Sequence, residues 1–169
     1  IAASIHVSGP PDTDAENELD ITKWAVANGV PDDAFVDLGW LSNRIMPSVL
    51  RDMDAAIFPN RCEGGTNLVA MEAMAVGVPC VLSANTGHLD IIKDDNCYAL
   101  NDQRLVTGSD ERTAMWRESQ VEEIVEKLEE IYTDRAQARA RAEIGATFMS
   151  GFSWENQTGQ LVSAIDDLH

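Results

Sequence analysis

The feature that constrains this chain most is the stretch from Ile57 to Ser83, in which an apolar segment, a polar loop, a helix-forming run and a second apolar segment follow one another. Pro59 ends the first segment. Gly77 and Pro79 end the helical run, because glycine adopts the left-handed conformation readily and proline cannot continue a helix. The stretch therefore predicts a unit of strand, loop, helix and strand.

The loop of this unit has the composition of an anion-binding site. It brings four small or polar residues to the start of the helix: Gly64, Gly65, Thr66 and Asn67. Free backbone N–H groups and the positive end of the helix dipole meet there, and both attract negative charge. We therefore expect a phosphate group to bind at this point.

Glu72 is the only charged residue in the helical run from Leu68 to Val76. A helix that is apolar nearly all round is typical of a buried helix, and a buried carboxylate is costly without a polar partner. That partner is either a structural ion pair or cap, or the hydroxyl pair of a ribose, from which a carboxylate can accept two hydrogen bonds. The position of Glu72, one turn past the loop, favours the ribose.

This loop and helix resemble the donor-binding signature of the retaining GT-B glycosyltransferases of the group 1 type, which are family 4-like. The matching residues are Glu63, Gly64, Glu72, Ala73, Met74, Ala75, Gly77 and Pro79. The resemblance implies that Glu63 is catalytic and faces the transferred sugar, and that Glu72 binds the ribose. It implies a donor site that also includes Gly64, Gly65, Thr66, Asn67 and Leu68. Eight residues separate the two glutamates, one more than is usual in the family.

A second junction follows the strand predicted at Phe35 to Leu38. Ligands of open parallel sheets gather beyond the carboxyl ends of strands, and the segment from Gly39 to Ser42 is such an end. The resemblance implies that Trp40 or Leu41 lies against the nucleotide base. Core packing explains Trp40 equally well.

Composition excludes several classes of partner. The 169 residues carry a net charge of -17, which would repel nucleic acid and anionic lipid. The sequence has no apolar run of the roughly twenty residues that a membrane span needs. Its three cysteines, Cys62, Cys80 and Cys97, show no metal-ligand spacing and are odd in number, so we expect a reduced, cytoplasmic setting.

The remaining pattern predicts further elements. We expect strands at 4–9, 54–58 and 97–100, and helices at 13–28, 42–53, 134–149 and 154–168. Ser119 and Glu122 predict a capping box before another helix, and Ser153 predicts a cap for the last one. Ala140, Ile144 and Phe148 form one apolar stripe. The segment from Asn101 to Glu118 predicts an irregular excursion.

We therefore expect an α/β fold with a doubly wound, mainly parallel, Rossmann-like sheet, forming the C-terminal half of a GT-B fold. Residues 1–169 would be the donor-binding domain of a longer two-domain enzyme, because the chain lacks an initiator Met and the family's preceding strand, helix, Arg and Lys. The resemblance implies hexosyl transfer with retention and without metal, from a UDP- or GDP-sugar to a saccharide, lipid or other acceptor held mainly by the missing domain. The isolated chain would then be inactive. Alternatives are a GT-B nucleotide-sugar epimerase and a non-catalytic Rossmann-like binding module.

Overall fold

The computed structural model of the chain describes residues 3–4, 21–36, 38, 41–107, 113 and 115–168. The chain divides into two compact units, Ile1–Met46 and Pro47–His169. None of the helices in the described ranges has the length and apolar character that a membrane crossing requires.

The first unit contains a parallel pair of short strands, β1 (Ala3–Ser4) and β2 (Phe35–Val36). Helix α1 (Ile21–Ala27) lies between them in the chain, and Gly29, two residues past its end, has the φ of 79° typical of a left-handed helix stop. A 3₁₀ helix (Asp32–Ala34) leads into β2. The residues predicted to begin the first helix, and most of those predicted to form the first strand, lie outside the described part of the chain.

The second unit is built on a parallel sheet in the order β3–β4–β5, with bounds Ala56–Phe58, Cys80–Ser83 and Tyr98–Leu100. Val81 of the central strand lies opposite Ile57 on one side and Tyr98 on the other. All four residues of β4 are buried, as expected for a strand with neighbours on both edges and helices on its faces. Helix α2 (Met46–Arg51), with Pro47 in its first turn, precedes β3 in the chain.

Helix α3 (Leu68–Ala75) connects β3 to β4 and packs against α5 (Arg135–Met149). Gly77, two residues past its last turn, has a φ of 79°. The predicted unit of strand, loop, helix and strand is thus confirmed. The local signals suffice here because the proline and glycine stops coincide with the changes in hydrophobic pattern.

The buried stripe of α5 differs from the predicted one. Its buried residues are Ala138, Ala142, Gly145 and Met149, whereas Ala140 and Ile144 are exposed. The reason is close packing, since a Cβ added to Gly145 would lie 2.8 Å from the Asn96 carbonyl oxygen. The face of α5 that packs against the rest of the unit accommodates mostly small side chains. Side-chain size, rather than hydrophobicity, therefore determines which face of α5 is buried.

The segment from Asn101 to Glu118 is anchored by regular structure, contrary to prediction. Strand β6 (Gln103–Leu105) pairs antiparallel with β7 (Arg117–Ser119), so that Gln103 lies opposite Ser119. The two strands are short and polar, and therefore lack the alternation by which a strand is recognised in sequence.

Two more helices complete the unit, α4 (Val121–Thr133) and α6 (Trp154–Asp166). The capping box predicted at Ser119 is wrong, because Gln120 is the N-cap of α4 and the Ser119 hydroxyl bonds elsewhere. The cap predicted at Ser153 is confirmed, since its side chain accepts from the Asn156 N–H at 3.2 Å. No described side chain of α6 is buried, and Trp154 is 90% exposed.

Candidate functional site

The candidate site is the loop between β3 and α3, at the carboxyl end of the parallel sheet. In this loop Gly64 and Gly65 are exposed, whereas Glu63, Thr66 and Asn67 are half-buried. The 3₁₀ helix that follows β4 (Thr86–Asp90) packs against the loop. The loop backbone is therefore open to solvent on one side and supported on the other.

The Glu63 carboxylate is held through one of its two oxygens. Its Oε1 accepts hydrogen bonds from Asn60 Nδ2 at 2.7 Å and from Asn67 Nδ2 at 3.0 Å. Its backbone N–H donates to Thr86 Oγ1 at 2.7 Å. Within the described part of the chain, Oε2 has no hydrogen-bond partner. The carboxylate is thus oriented by the protein and retains one oxygen that can accept from a ligand hydroxyl.

Asn67 serves both the helix and the carboxylate. Its Oδ1 accepts from the Ala70 N–H at 3.1 Å, which caps one of the free N–H groups at the start of α3. Its Nδ2 lies 3.0 Å from Glu63 Oε1 and 3.1 Å from His88 Nε2. Cap formation and orientation of the carboxylate are therefore two functions of one side chain.

His88 is a site residue that the sequence did not predict. Its side chain is fully buried, and Nδ1 lies 3.0 Å from the carbonyl oxygen of Ser83, the last residue of β4. Burial lowers the pKa of His88 below its ordinary value, although the hydrogen bond to Ser83 and the charge of Glu63 act in the opposite direction. The signal available in sequence was position, since His88 follows the central strand, where parallel sheets bind ligands.

Leu68 and Glu72 lie one turn apart on the exposed face of α3. Leu68 is 71% exposed and Glu72 is exposed, whereas Ala70, Ala73 and Met74 are buried. The prediction that Glu72 is a buried carboxylate is wrong, because only one face of this uniformly apolar helix meets the core. The carboxylate needs no partner within the protein, and it faces the solvent on the helix that begins at the loop.

A buried polar network fixes the floor of the loop. The buried Asn85 donates through Nδ2 to the Asn60 carbonyl oxygen at 2.9 Å and to Gln103 Oε1 at 2.8 Å. Gln103 Nε2 donates in turn to Ser119 Oγ at 2.7 Å. The pair of strands β6 and β7 is thereby tied to the loop, and the Ser119 hydroxyl is occupied in this network rather than at the start of α4.

The residues predicted to contact the nucleotide base belong to another part of the chain. Trp40 lies outside the described residues, and Leu41 belongs to the first unit, Ile1–Met46. Arg61, the basic residue within the loop, bonds Glu118 of β7 through its guanidinium group. Among the described residues there is no group of three His, Cys, Asp or Glu side chains that could hold a metal ion.

The three thiols differ in accessibility, and we expect only Cys62 to react in the folded chain. Cys62 is half-buried in the loop, whereas Cys80 and Cys97 are buried. Burial raises the pKa of both inner thiols, that of Cys97 to about 11, and the thiolate is the reactive form. Labelling with a maleimide at pH 8 should modify one thiol natively and three in urea. Rapid native modification of a second thiol would contradict this accessibility.

The chain is similar in sequence to one protein family. Residues 41–161 match the family model described as family 4 glycosyltransferases in conflict systems. No curated protein matches the sequence at a significant level.

Solved structures with the same fold include one isolated domain and two longer chains. Francisella tularensis LpcC, described as the C-terminal domain of a group 1 glycosyl transferase, aligns with a TM-score of 0.56 at 20% identity over 77% of this chain. Anabaena HepE in complex with UDP gives 0.66 at 13% identity over 87%. Sucrose-phosphate synthase from Thermosynechococcus elongatus gives 0.65 at 20% identity over 88%.

The chain covers only part of the length of each of these structures. The chain spans 58% of the LpcC chain, 36% of HepE and 34% of the sucrose-phosphate synthase. The match to the family model covers β3, the loop, α3 and β4, which carry the candidate site. The chain shares the Rossmann-like fold of one half of the GT-B glycosyltransferases. The chain belongs to the family 4 glycosyltransferases of conflict systems.

Proposed function

We propose that this chain binds the nucleoside-diphosphate sugar donor of a glycosyltransferase that moves a hexosyl group to a saccharide, lipid or other acceptor. The observation that carries the proposal is the Glu63 carboxylate, which is fixed through Oε1 and open at Oε2 beside the exposed Gly64 and Gly65. An oriented carboxylate next to backbone amides suits a ligand that has hydroxyl groups at one end and phosphates adjacent to them.

The diphosphate would bind at the start of α3. The exposed backbone of Gly64 and Gly65 allows a phosphate to approach closely, and the free N–H groups and dipole of α3 favour its negative charge. The net charge of -17 gives no general attraction for an anion, so local N–H groups have to supply the binding. During transfer the same groups would stabilise the departing diphosphate.

The nucleoside would extend along the exposed face of α3. Glu72 lies one turn past Leu68 on that face and is exposed, so its two oxygens can accept hydrogen bonds from the two ribose hydroxyls. The UDP complex formed by HepE supports a uridine or other nucleoside diphosphate as the ligand. Retention of configuration, and binding of the acceptor mainly by a second domain, are parts of the same proposal.

Glu72→Ala should weaken the binding of a nucleoside diphosphate about ten- to a hundredfold, because hydrogen bonds to a charged group contribute about 1.5–3 kcal/mol. The measurement is calorimetric titration of the chain with UDP, GDP and ADP, which also identifies the base. Glu143→Ala is the matched control, since Glu143 is an exposed glutamate on α5.

Two outcomes would count against this assignment. If the Glu72→Ala and Glu143→Ala variants bind the preferred nucleotide with equal affinity, Glu72 does not contact the ribose. Absence of binding to all three nucleotides, both by the chain and by a longer protein that includes the acceptor-binding half, would refute the proposed function.

A further inference from the structure

The protonation state of His88 follows from its hydrogen bonds. The Ser83 carbonyl oxygen can only accept, so the His88 Nδ1 atom, 3.0 Å away, carries a hydrogen and donates it. The opposite ring nitrogen, Nε2, lies 3.1 Å from the side-chain amide of Asn67. The state of Nε2 therefore depends on which atom Asn67 presents to it.

The oxygen and nitrogen of the Asn67 amide can be assigned without reference to His88. The Ala70 backbone N–H can only donate, so the atom that it contacts at 3.1 Å is the Asn67 carbonyl oxygen. The NH₂ group consequently faces both Glu63 Oε1 and His88 Nε2. One hydrogen of this NH₂ group is donated to Glu63 Oε1 and the other to His88 Nε2. Nε2 can accept it only if it carries no proton of its own. The contacts at both ring nitrogens thus define a neutral ring protonated on Nδ1.

A charged ring would not fit this arrangement. Protonation of Nε2 would direct its N–H at the NH₂ group of Asn67, which has no acceptor to offer. Glu63 is the titratable group whose charge acts on the ring. Full burial of the ring opposes the charge, and the pKa of His88 is correspondingly lowered. The ring is therefore an acceptor for Asn67 at neutral pH.

We propose that His88 is a positioning residue which, as the neutral imidazole protonated on Nδ1, orients Asn67 and through it directs the free oxygen of Glu63 at the sugar of the donor. Without Nε2, one hydrogen of the Asn67 amide has no acceptor in the described structure, and the amide that donates to Glu63 Oε1 is then held from its other side by the Ala70 N–H alone. This inference rests on the proposed donor site for the identity of the ligand, but the hydrogen-bond arrangement can be tested without any ligand.

The ligand-free test is ¹⁵N NMR of the imidazole ring in the unaltered chain. We expect a protonated Nδ1 and an unprotonated Nε2 at pH 7.5. We also expect the side-chain NH₂ signals of Asn67 to shift in His88→Leu and to remain near their original positions in His88→Gln, whose carbonyl oxygen can replace Nε2 as acceptor. A ring protonated on Nε2, or a charged ring at pH 7.5, would overturn the inference.

The ligand-dependent test compares each sugar nucleotide with its free diphosphate: UDP-glucose with UDP, and GDP-mannose with GDP. His88→Leu should weaken binding of the sugar nucleotide about tenfold and leave that of the diphosphate unchanged, whereas His88→Gln should restore most of the loss. In a Glu63→Gln background, His88→Leu should have no further effect, because the two residues act on the same contact.

The outcomes separate this inference from the proposed function. If ligands bind but His88→Leu weakens UDP and UDP-glucose equally, or adds fully to Glu63→Gln, His88 has only a structural role and the inference is overturned. If neither ligand of either pair binds, the proposed function fails and the donor-directed role fails with it, while the imidazole spectrum still decides the orientation of Asn67.

Discussion

Gly87→Ala should lower the stability of the folded chain towards the upper end of the range of about 1–3 kcal/mol that overpacking typically costs. A Cβ at this position would lie 1.5 Å from the Gly65 carbonyl oxygen and 2.6 Å from its carbonyl carbon. Both are backbone atoms, so a rotamer change cannot relieve the clash. The preceding residue, Thr86, has a φ of 38° and its hydroxyl accepts from the Glu63 N–H, which leaves the 3₁₀ helix little freedom to retreat.

The readouts for Gly87→Ala are the urea midpoint and nucleotide affinity. Because the displaced atom belongs to the loop that we propose binds the diphosphate, affinity for UDP or GDP should fall together with stability. Gly159→Ala is the matched control, since Gly159 lies within α6 and a Cβ added there would have no neighbouring atom within 4 Å. Alanine there should be neutral or stabilising by up to about 1 kcal/mol. Equal midpoints for the two variants would contradict the packing of Gly87 on Gly65.

The central unit could be predicted from sequence because its signals are local. Pro59, Gly77 and Pro79 mark the ends of segments whose hydrophobic pattern changes at the same positions, and β3, α3 and β4 follow these marks. Gly77 needs no tertiary contact to end a helix, since its left-handed φ is a property of the residue itself. Elements of this kind depend little on the rest of the chain.

The constellation around Glu63 could not be predicted in the same way, because tertiary contacts create it. Asn67 and His88 are separated by 21 residues and meet only when the segment after β4 packs on the loop. Ser119 has the spacing of a helix cap, yet its hydroxyl bonds Ser83 and Gln103 in a buried network. In both cases the hydrogen-bond partner is a residue distant in sequence, which local spacing cannot indicate.

Exposure of Glu72 illustrates a second limit. The run from Leu68 to Ala75 is apolar on nearly every face, so its periodicity does not indicate which side meets the core. Contact with α5 makes that choice, and it leaves Leu68 and Glu72 exposed. The prediction that Glu72 binds the ribose also follows from the resemblance to the glycosyltransferase signature, which does not depend on burial. The prediction that Glu72 is buried is wrong.

Glu63→Gln should weaken binding of a sugar nucleotide about ten- to a hundredfold and leave that of the free diphosphate unchanged, because Glu63 is proposed to contact the sugar alone. The glutamine keeps the shape of the side chain, and its carbonyl oxygen can still accept from Asn60 and Asn67. The atom at the Oε2 position becomes an NH₂ group, however, and no longer accepts from a sugar hydroxyl. Neutralisation of the carboxylate also removes the charge that strengthens these bonds.

The measurement for Glu63→Gln is a pair of titrations, UDP-glucose against UDP and GDP-mannose against GDP, with Glu143→Gln as the control on the exposed face of α5. Glu72→Ala gives the complementary pattern, since loss of the ribose contact weakens both members of a pair by the same factor. The two glutamates should therefore separate into one that recognises the sugar and one that recognises the nucleoside. If Glu63→Gln weakens UDP and UDP-glucose alike, Glu63 does not face the sugar, and its clamp by Asn60 and Asn67 serves only to hold the loop.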